Sequence, residues 1–403
     1  MQKDINKIPQ LRFSEFTEDW ERKKYNEIYS FYSTNSLSRD KLNYEKGEVK
    51  NIHYGDIHTK FSTLFDITNE LVPFIDSDVD LTKIKEESYL KNGDLLIADA
   101  SEDYNDIGKT IEVVNLNNEK VISGLHTFHA RPNKHKMIIG FSGFMLQNWN
   151  VRKQVMKIAQ GTKVLGLATS RLGKIKLHIP SLKEQKKIAS FLSSVDTKLN
   201  LLQQKKERLE QYKKGVMQQI FSQQLRFTDD DGSSFADWEE KRLGDIAVKE
   251  SSNISANSIE ENTGNYKIYG ASGFIKKIDF YLQEQPYISI VKDGAGVGRT
   301  LLCDAESSVL GTLDVIKPKV NANLYFIYSL LNNINFTKYI IGSTIPHIYF
   351  KDYSKEKIQI PSLKEQTKIA TFLSAIDNKI ALVAIQIENT QQFKKGLLQQ
   401  MFV

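Results

Sequence analysis

The sequence predicts a two-headed protein of class α+β/α: two mixed α/β globular domains joined by two long antiparallel coiled-coil helices, pseudo-twofold symmetric. Two observations predict this. Residues 179–222 recur at 360–403 without a gap, 24 of the 44 pairs being identical, and both copies carry apolar residues at helical spacing. A shorter repeat opens the segment in front of each copy: Leu11-Arg12-Phe13 and Asp19-Trp20-Glu21 correspond to Leu225-Arg226-Phe227 and Asp237-Trp238-Glu239. Equivalent units in equivalent surroundings tend to be related by a rotation axis. The chain's two ends should then meet, because Phe221 leads into Leu225 and the matching positions are Phe402 and Leu11.

Four segments follow from the repeats: a first domain at 1–178, a long helix at 179–224, a second domain at 225–359 and a second long helix at 360–403. In the first domain, strand-like stretches fall at 51–57, 94–98, 110–114 and 127–131, and in the second at 266–269, 286–291, 300–303 and 309–316. Each domain closes alike. An apolar helical stretch (141–159 or 324–341) ends at Gly161-Thr162-Lys163-Val164 or Gly342-Ser343-Thr344-Ile345, and a short strand follows at 175–179 or 357–360. Between these landmarks the two domains diverge, as a shared scaffold with two different faces would.

Each long helix begins with Pro-Ser-Leu-Lys-Glu, placing Ser181 and Glu184, or Ser362 and Glu365, at capping-box spacing. Beyond it Leu192, Val195, Leu199, Leu202, Lys206, Leu209, Lys213, Val216 and Ile220 step by three and four, as do Leu373, Ile376, Ile380, Val383, Ile387, Thr390, Lys394, Leu397 and Met401. Lys206 corresponds to Ile387 and Leu209 to Thr390, a complementarity that favours packing of one copy on the other. At 1.5 Å per residue each helix spans roughly 60 Å. Gly215 and Gly396 sit inside the pattern, where glycine costs about 1 kcal/mol relative to alanine; close approach of another helix, from this chain or a partner, would explain them.

The chain has 403 residues, enough for two or three domains, and is 40% hydrophobic and 26% charged. It has no run of eighteen apolar residues, and residues 1–10 lack a signal-peptide core, so a cytoplasmic location without a membrane is expected. Cys303 is the only cysteine, which excludes an intrachain disulfide and a thiolate metal cluster. Of the net charge of +6, residues 181–224 carry +5 and 362–403 carry +2, leaving −1 for the rest. Any polyanion contact by the heads must therefore come from local clusters.

Apparent catalytic motifs fail on spacing. The glycines of Asp293-Gly294-Ala295-Gly296-Val297-Gly298-Arg299 are spaced GxGxG and lead into a strand, against a dinucleotide fingerprint. Gly108-Lys109-Thr110 lacks the glycine five residues earlier that a phosphate loop needs, Asp103 standing there. No adjacent prolines exist to form an amino-methyltransferase motif, and no Pro-Asp pair begins a nuclease motif, although Glu48-Val49-Lys50 imitates its second half. His126 and His129 near Asp99 and Glu102 suggest a metal, against loop hydrogen bonding as the plainer reading. The lysine pairs at 186–187, 205–206 and 213–214 are a solvated face, or a contact for acidic partner helices or DNA.

This arrangement resembles the specificity subunit of type I restriction-modification enzymes, on the strength of the LRF and DWE openings, the Gly161-Thr162 and Gly342-Ser343 turns, and the two IPSLKEQ helices with their KIA and FLS continuations. The resemblance covers essentially the whole chain. It implies two target recognition domains, each reading half of a split, bipartite double-stranded DNA target, with the helix pair as a ruler between them. It implies no catalysis and no cofactor in this chain. Two modification subunits would supply S-adenosylmethionine-dependent adenine methylation, and two restriction subunits ATP- and Mg-dependent translocation and cleavage. A pure coiled-coil scaffold and a fused enzyme are the competing classes; the first leaves the divergent heads unexplained, the second lacks its motifs.

Recognition side chains usually sit on loops carried by a rigid frame. Polar, aromatic and basic residues in such loops give the expected DNA contacts. In the first head these are Tyr54, Asp56, His58 and Lys60; Ser101, Glu102, Tyr104 and Lys109; His126, Thr127, His129 and Arg131; and Lys163. In the second they are Tyr269 and Ser272, Lys292 and Arg299, Thr312, and Ser343, Thr344 and His347.

Overall fold

The computed structural model describes residues 8–133 and 136–403; residues 1–7, where the first expected domain begins, lie outside the described residues. The chain forms two compact units, one comprising residues up to Leu202 together with Gln386–Val403, the other Gln203–Ile385. The helices are thus not a domain apart from the heads, as the sequence boundaries had them. Burial explains the difference. Ile188, Leu192, Val195, Leu397 and Met401 complete the core around Trp20, Phe141 and Phe144 in unit 1. At the repeat-equivalent positions, Ile369, Leu373, Ile376, Val216 and Ile220 complete the core around Trp238 and Phe326 in unit 2.

The head of unit 1 is built on a five-stranded sheet in the order Tyr29–Tyr32, Thr127–Pro132, Leu95–Ala98, Thr110–Asn115, Leu64–Asp66, antiparallel except for the last pair. A second, four-stranded sheet runs Val121–Ser123, Lys50–Ile52, Phe74–Ile75, Leu42–Asn43. Unit 2 repeats the first four strands of the main sheet in the same order: Ala247–Ser251, Leu313–Pro318, Tyr287–Val291, Thr300–Cys303, all antiparallel. It replaces the second sheet with Gly273–Ile278, Tyr266–Gly270 and Ser307–Val309.

Three sequence expectations are corrected in detail. Only Lys50–Ile52 of the 51–57 stretch is a strand; Tyr54–Thr59 is a helix, capped by His53, whose ring accepts from the Gly55 N–H. The 309–316 stretch is two strands separated by a turn at Leu310-Gly311-Thr312. The helical stretch 141–159 breaks into Phe141–Gln147 and Trp149–Ile158 at Asn148, whose side chain accepts from the Asn150 N–H. Its counterpart, 324–341, breaks in the same way, into Leu324–Asn333 and a short 3-10 turn, Phe336–Tyr339.

The long helices are Leu182–Phe221, 40 residues, and Leu363–Gln400, 38 residues, and every seam position named above is buried or half-buried. Within unit 1, Lys394 Nζ lies 2.6 Å from Asp196 Oδ1; within unit 2, Lys213 Nζ lies 2.6 Å from Asp377 Oδ1. In each unit the early part of one helix meets the late part of the other, the order of an antiparallel pair. These bonds also explain why Lys213 and Lys394 are tolerated on the seam. The second helix is long and apolar enough to cross a membrane by length and composition. Leu373, Ile376, Val383 and Leu397 are buried inside their units, however, which gives its apolar residues a role without lipid.

The capping box forms only in half. The Glu184 N–H donates to Ser181 Oγ at 3.4 Å, but the Glu184 carboxylate does not turn back to the helix start. It accepts from Arg12 Nε at 2.7 Å, from the other arm of the same guanidinium at 2.8 Å, and from Trp20 Nε1 at 3.2 Å. Glu365 takes Arg226 at 2.9 and 3.0 Å and Trp238 at 3.2 Å in the same way. The three motifs that repeat in the sequence are therefore the three parts of one buried latch. The chain ends meet as expected. Leu225 N–H donates to Gln219 O at 3.0 Å across a covalent joint, and Leu11 N–H donates to Gln400 O at 2.9 Å without one.

Candidate nucleic-acid interface

Three loops converge at one end of each main sheet, held by the same backbone bonds in both units. In unit 1 the strand Leu95–Ala98 leads into a hairpin loop that returns at Gly108: Ala98 N–H donates to Lys109 O at 2.9 Å and Gly108 N–H to Ala98 O at 3.0 Å. Asp99, next on the chain, donates to His126 O at 3.0 Å and accepts from Leu167 N–H at 2.8 Å. In unit 2 the hairpin bonds join Val291 N–H to Arg299 O and Gly298 N–H to Val291 O, at 2.9 and 2.8 Å. Lys292 there stands where Asp99 stands, donating to Thr312 O and accepting from Ile348 N–H, both at 3.0 Å.

The third loop is a tight turn closed by reciprocal bonds, Gln160 with Gly166 and Ile341 with His347. Gly161 has φ +136° and a Cβ there would lie 1.9 Å from Val164 O; Gly342 has φ +88° and its Cβ would lie 2.5 Å from Ile345 O. Both turns need glycine, and both put their next residues, Thr162-Lys163 and Ser343-Thr344, into solvent.

The candidate residues of the first head gather at this edge, but in two classes. The helix Tyr54–Thr59 docks on it: the Tyr54 ring meets His126 edge-on at 5.3 Å, His58 Nε2 donates to Ala100 O at 3.0 Å, and Lys109 Nζ to His58 O at 2.6 Å. His126, at φ +53°, donates to Asp99 Oδ1 at 3.2 Å and stays half in solvent. Glu102, Tyr104 and Lys163 are exposed.

Five others turn inward and are corrected to structural roles. Asp56 is fully buried and pairs with Arg39 and Lys60, at 3.1 and 2.9 Å, so the Lys60 ammonium is itself engaged. Ser101 accepts from the Asp103 N–H, and Thr127 bonds Ser123 and Gly124 O. His129, 0% exposed, donates to Asp94 Oδ2 at 2.7 Å, and Arg131 grips the same carboxylate through two bonds of 2.8 Å while lying over the Tyr32 ring. Burial alone would raise the Asp94 carboxyl, but the bonds from His129 and Arg131 outweigh it and hold it below its ordinary range. The alternation of strand Thr127–Pro132 drives this, since residues 127, 129 and 131 share one face. His126 and His129 are thereby separated, and among the described residues no three potential ligands form a metal site.

In the second head Ser272, Arg299, Thr312, Ser343 and Thr344 are exposed. Arg299 donates to Ala271 O at 3.1 Å, joining the 270–273 turn to the edge. Lys292 is partly buried, 3.4 Å from Asp314 Oδ1, and the His347 ring packs on exposed Tyr349. Tyr269 is corrected: it is buried, with its hydroxyl donating to Asp304 Oδ2 at 2.9 Å.

Sequence reasoning missed a polar groove beside His126 and Asp99 in unit 1, walled by Ser33, Asn35, Ser36, Lys83 and Lys85. The Ser-Thr-Asn-Ser run at 33–36 was its available signal. The hairpin loops also differ in charge. Glu102, Asp103 and Asp106 outnumber Lys109 in unit 1, whereas Lys292 and Arg299 outnumber Asp293 in unit 2.

The family profile described as "Type I restriction modification DNA specificity domain" matches residues 17–211 and 236–390. A protein classed as the MjaX type I restriction enzyme specificity subunit of Methanocaldococcus jannaschii is 25% identical over 95% of this chain and 93% of its own. The MjaVIII specificity subunit of the same organism is 31% identical over 41% of this chain and 42% of its own. Among solved structures, the S subunit of the type I restriction-modification system from M. genitalium is similar with a TM-score of 0.60, at 15% identity over 98% of this chain and 99% of that one. A chain from a study of complex assembly and conformational transition in the type I system has a TM-score of 0.54, at 14% identity over 94% and 96%.

Proposed function

The chain belongs to the DNA specificity family of type I restriction-modification systems, and on that premise we propose that each of its heads reads one half of a split duplex target through its three-loop edge. The observation that carries this is the pair of edges itself: identical backbone ties at Asp99 and Lys292, bearing different side chains. Exposed polar side chains on a fixed frame suit base-edge readout in a groove, and different side chains suit different half-targets. His58, His126, Tyr104 and Lys163 would serve the first half, and Arg299, Ser272, Thr312, Ser343 and Thr344 the second.

The chain is the recognition member of its complex and not its catalyst. Two modification subunits would bring S-adenosylmethionine and two restriction subunits ATP and Mg, in the cytoplasm, while this chain takes no cofactor of its own. Exchanging the exposed residues of 292–299 for those of a related head, in the assembled methyltransferase, should change one half of the methylated sequence only. Change in both halves, or in neither, would overturn the assignment of independent heads.

A further inference from the structure

The acidic hairpin loop of unit 1 poses an electrostatic problem for the reading above. Glu102, Asp103 and Asp106 face the same edge as Lys109, whose ammonium is already engaged by His58 O. Phosphate contact supplies essentially all of a DNA-binding protein's non-specific affinity and a large share of its specific affinity. The neighbouring helix Trp149–Ile158 holds the missing cations. Its Val151 and Val155 point into the core, while Trp149, Lys153 and Lys157 follow one another at four-residue steps on the outer side, within a sector of about 80° at 100° per residue. Trp149 is 53% exposed, and among the described residues no ring packs on it. Lys153, Lys157 and Lys163 are exposed and, among the described residues, their ammonium groups have no ion pair or hydrogen bond. The helix runs straight into the Gln160–Gly166 turn that carries Lys163, so this face continues the candidate interface.

Unit 2 lacks the feature. Its helix Leu324–Asn333 matches Phe141–Gln147, Phe326 and Phe141 both packing on the phenylalanine at the end of a long helix, Phe221 or Phe402. The place of Trp149–Ile158 is taken by the short 3-10 turn Phe336–Tyr339, whose single cation, Lys338, is paired with Glu356 at 2.8 Å. The hairpin loop of unit 2 carries Lys292 and Arg299 itself. We propose that the outer face of helix Trp149–Ile158 is a DNA-backbone track peculiar to the first head, Lys153 and Lys157 neutralising phosphates beside its half-target. The inference rests on the DNA-reading role proposed above. The two ammonium groups start from positions about 6 Å apart along the helix, the rise of roughly two base pairs on one strand. The Trp149 indole offers an N–H donor and a flat apolar face to the sugar–phosphate chain. No base is read here, so the track adds affinity and salt dependence without adding sequence.

The test is equilibrium binding of the assembled methyltransferase complex to duplex DNA containing its own target, across a salt series. The double variant Lys153→Ala/Lys157→Ala should reduce the slope of log K against log salt by roughly 2, at about 0.9 per phosphate contact, and leave the methylated sequence unchanged. Lys153→Arg/Lys157→Arg should restore the slope. A double variant with the wild-type slope overturns the track while leaving the DNA-reading role intact. Loss of assembly with the modification subunits at unchanged affinity for DNA overturns it too, since the face would then hold protein. A wild-type complex without salt-dependent binding to its target removes the underlying reading itself.

Discussion

Asp99 and Lys292 occupy the same place in the two units, each donating to one neighbouring loop and accepting from another through its backbone. Their side chains are opposite in charge, and the surroundings have diverged accordingly. Around Asp99 the hairpin loop is mostly acidic, its lysine Lys109 is tied to His58 O, and the Asp99 carboxylate faces His126; around Lys292 the cation sits within the hairpin loop and leans on Asp314. A backbone junction fixes where loops go without fixing what they carry. Two heads can therefore diverge in specificity while keeping one frame, and each difference between them can be tested against the other as an internal control.

The largest effects should come from the latch. Deleting one partner of a buried ion pair costs about 3–5 kcal/mol, because the other charge is left uncompensated. Glu184→Ala and Glu365→Ala should each destabilise their own unit on that scale. The consequences should differ, because the Arg12 segment meets the end of the second long helix only through the Leu11–Gln400 hydrogen bond, whereas the Arg226 segment stays joined to the first long helix through Ser222, Gln223 and Gln224. Hydrogen exchange at Leu11-Arg12-Phe13 should rise to the unprotected limit in Glu184→Ala, and only partly at Leu225-Arg226-Phe227 in Glu365→Ala. Equal release in both would mean that the covalent joint adds nothing to the latch.

A pH dependence should separate the units next. Glu112, buried beneath the Phe141–Gln147 helix, accepts from the N–H groups of Gly140 and Gly143 at 2.8 and 2.7 Å. Burial, only partly offset by those bonds, pushes its carboxyl up to about 7. A raised folded-state value means that the stabilisation is complete below the unfolded value near 4.3 and is lost as pH rises through about 7. Across that window unit 1 should lose up to about 4 kcal/mol relative to unit 2, where the register puts exposed Leu302 at the matching position. Urea midpoints followed by Trp20 and Trp238 in variants keeping one of them would show it. Parallel curves for the two probes, or a curve for Glu112→Gln as steep as the wild type's, would sink it.

At the edges, Arg299→Ala should cost about 1–3 kcal/mol of target binding and relax one position of one half-target, as loss of a base-reading arginine does. Lys109→Ala, at the same hairpin position of the other head, should cost less in binding and more in loop order, because Lys109 Nζ is tied to His58 O. Methylation mapping of both variants checks the pair, and an unchanged sequence in Arg299→Ala would remove that residue from readout.

The frame was legible in the sequence and the site only in part, for a physical reason. Strict repeats such as Glu184 and Glu365, or Gly161 and Gly342, belong to backbone and core, where one solution serves both units. Which candidates face outward depends on strand register: within strand Thr127–Pro132, a residue such as His129 reads as a polar contact but falls on the face that meets Asp94. The inward turn of Tyr269 toward Asp304 is likewise a tertiary fact with no local signal. The latch was visible as three repeated motifs, yet what joined them could not be read from spacing, since Arg12 and Glu184 are 172 residues apart.

The smallest expected effect concerns Gly215 and Gly396. The close approach that would explain them is absent among the described residues, where a Cβ at either position would meet nothing within 4 Å. Each lies three residues after an exposed aromatic, Tyr212 or Phe393, so the duplicated outer face pairs a ring with a gap one turn on. Replacing either glycine by alanine should stabilise its helix by about 1 kcal/mol from propensity alone, with nothing to clash, and the two gains should be equal because the surroundings repeat. If a helix of each modification subunit closes onto these faces, the same added methyl groups should weaken assembly although the isolated chain is more stable. Thermal melts of the isolated chain and titration with modification subunits measure the two effects separately. Assembly at wild-type affinity in the double variant would mean that the glycines are not kept for a partner, and unequal gains at the two sites would break the equivalence of the helices.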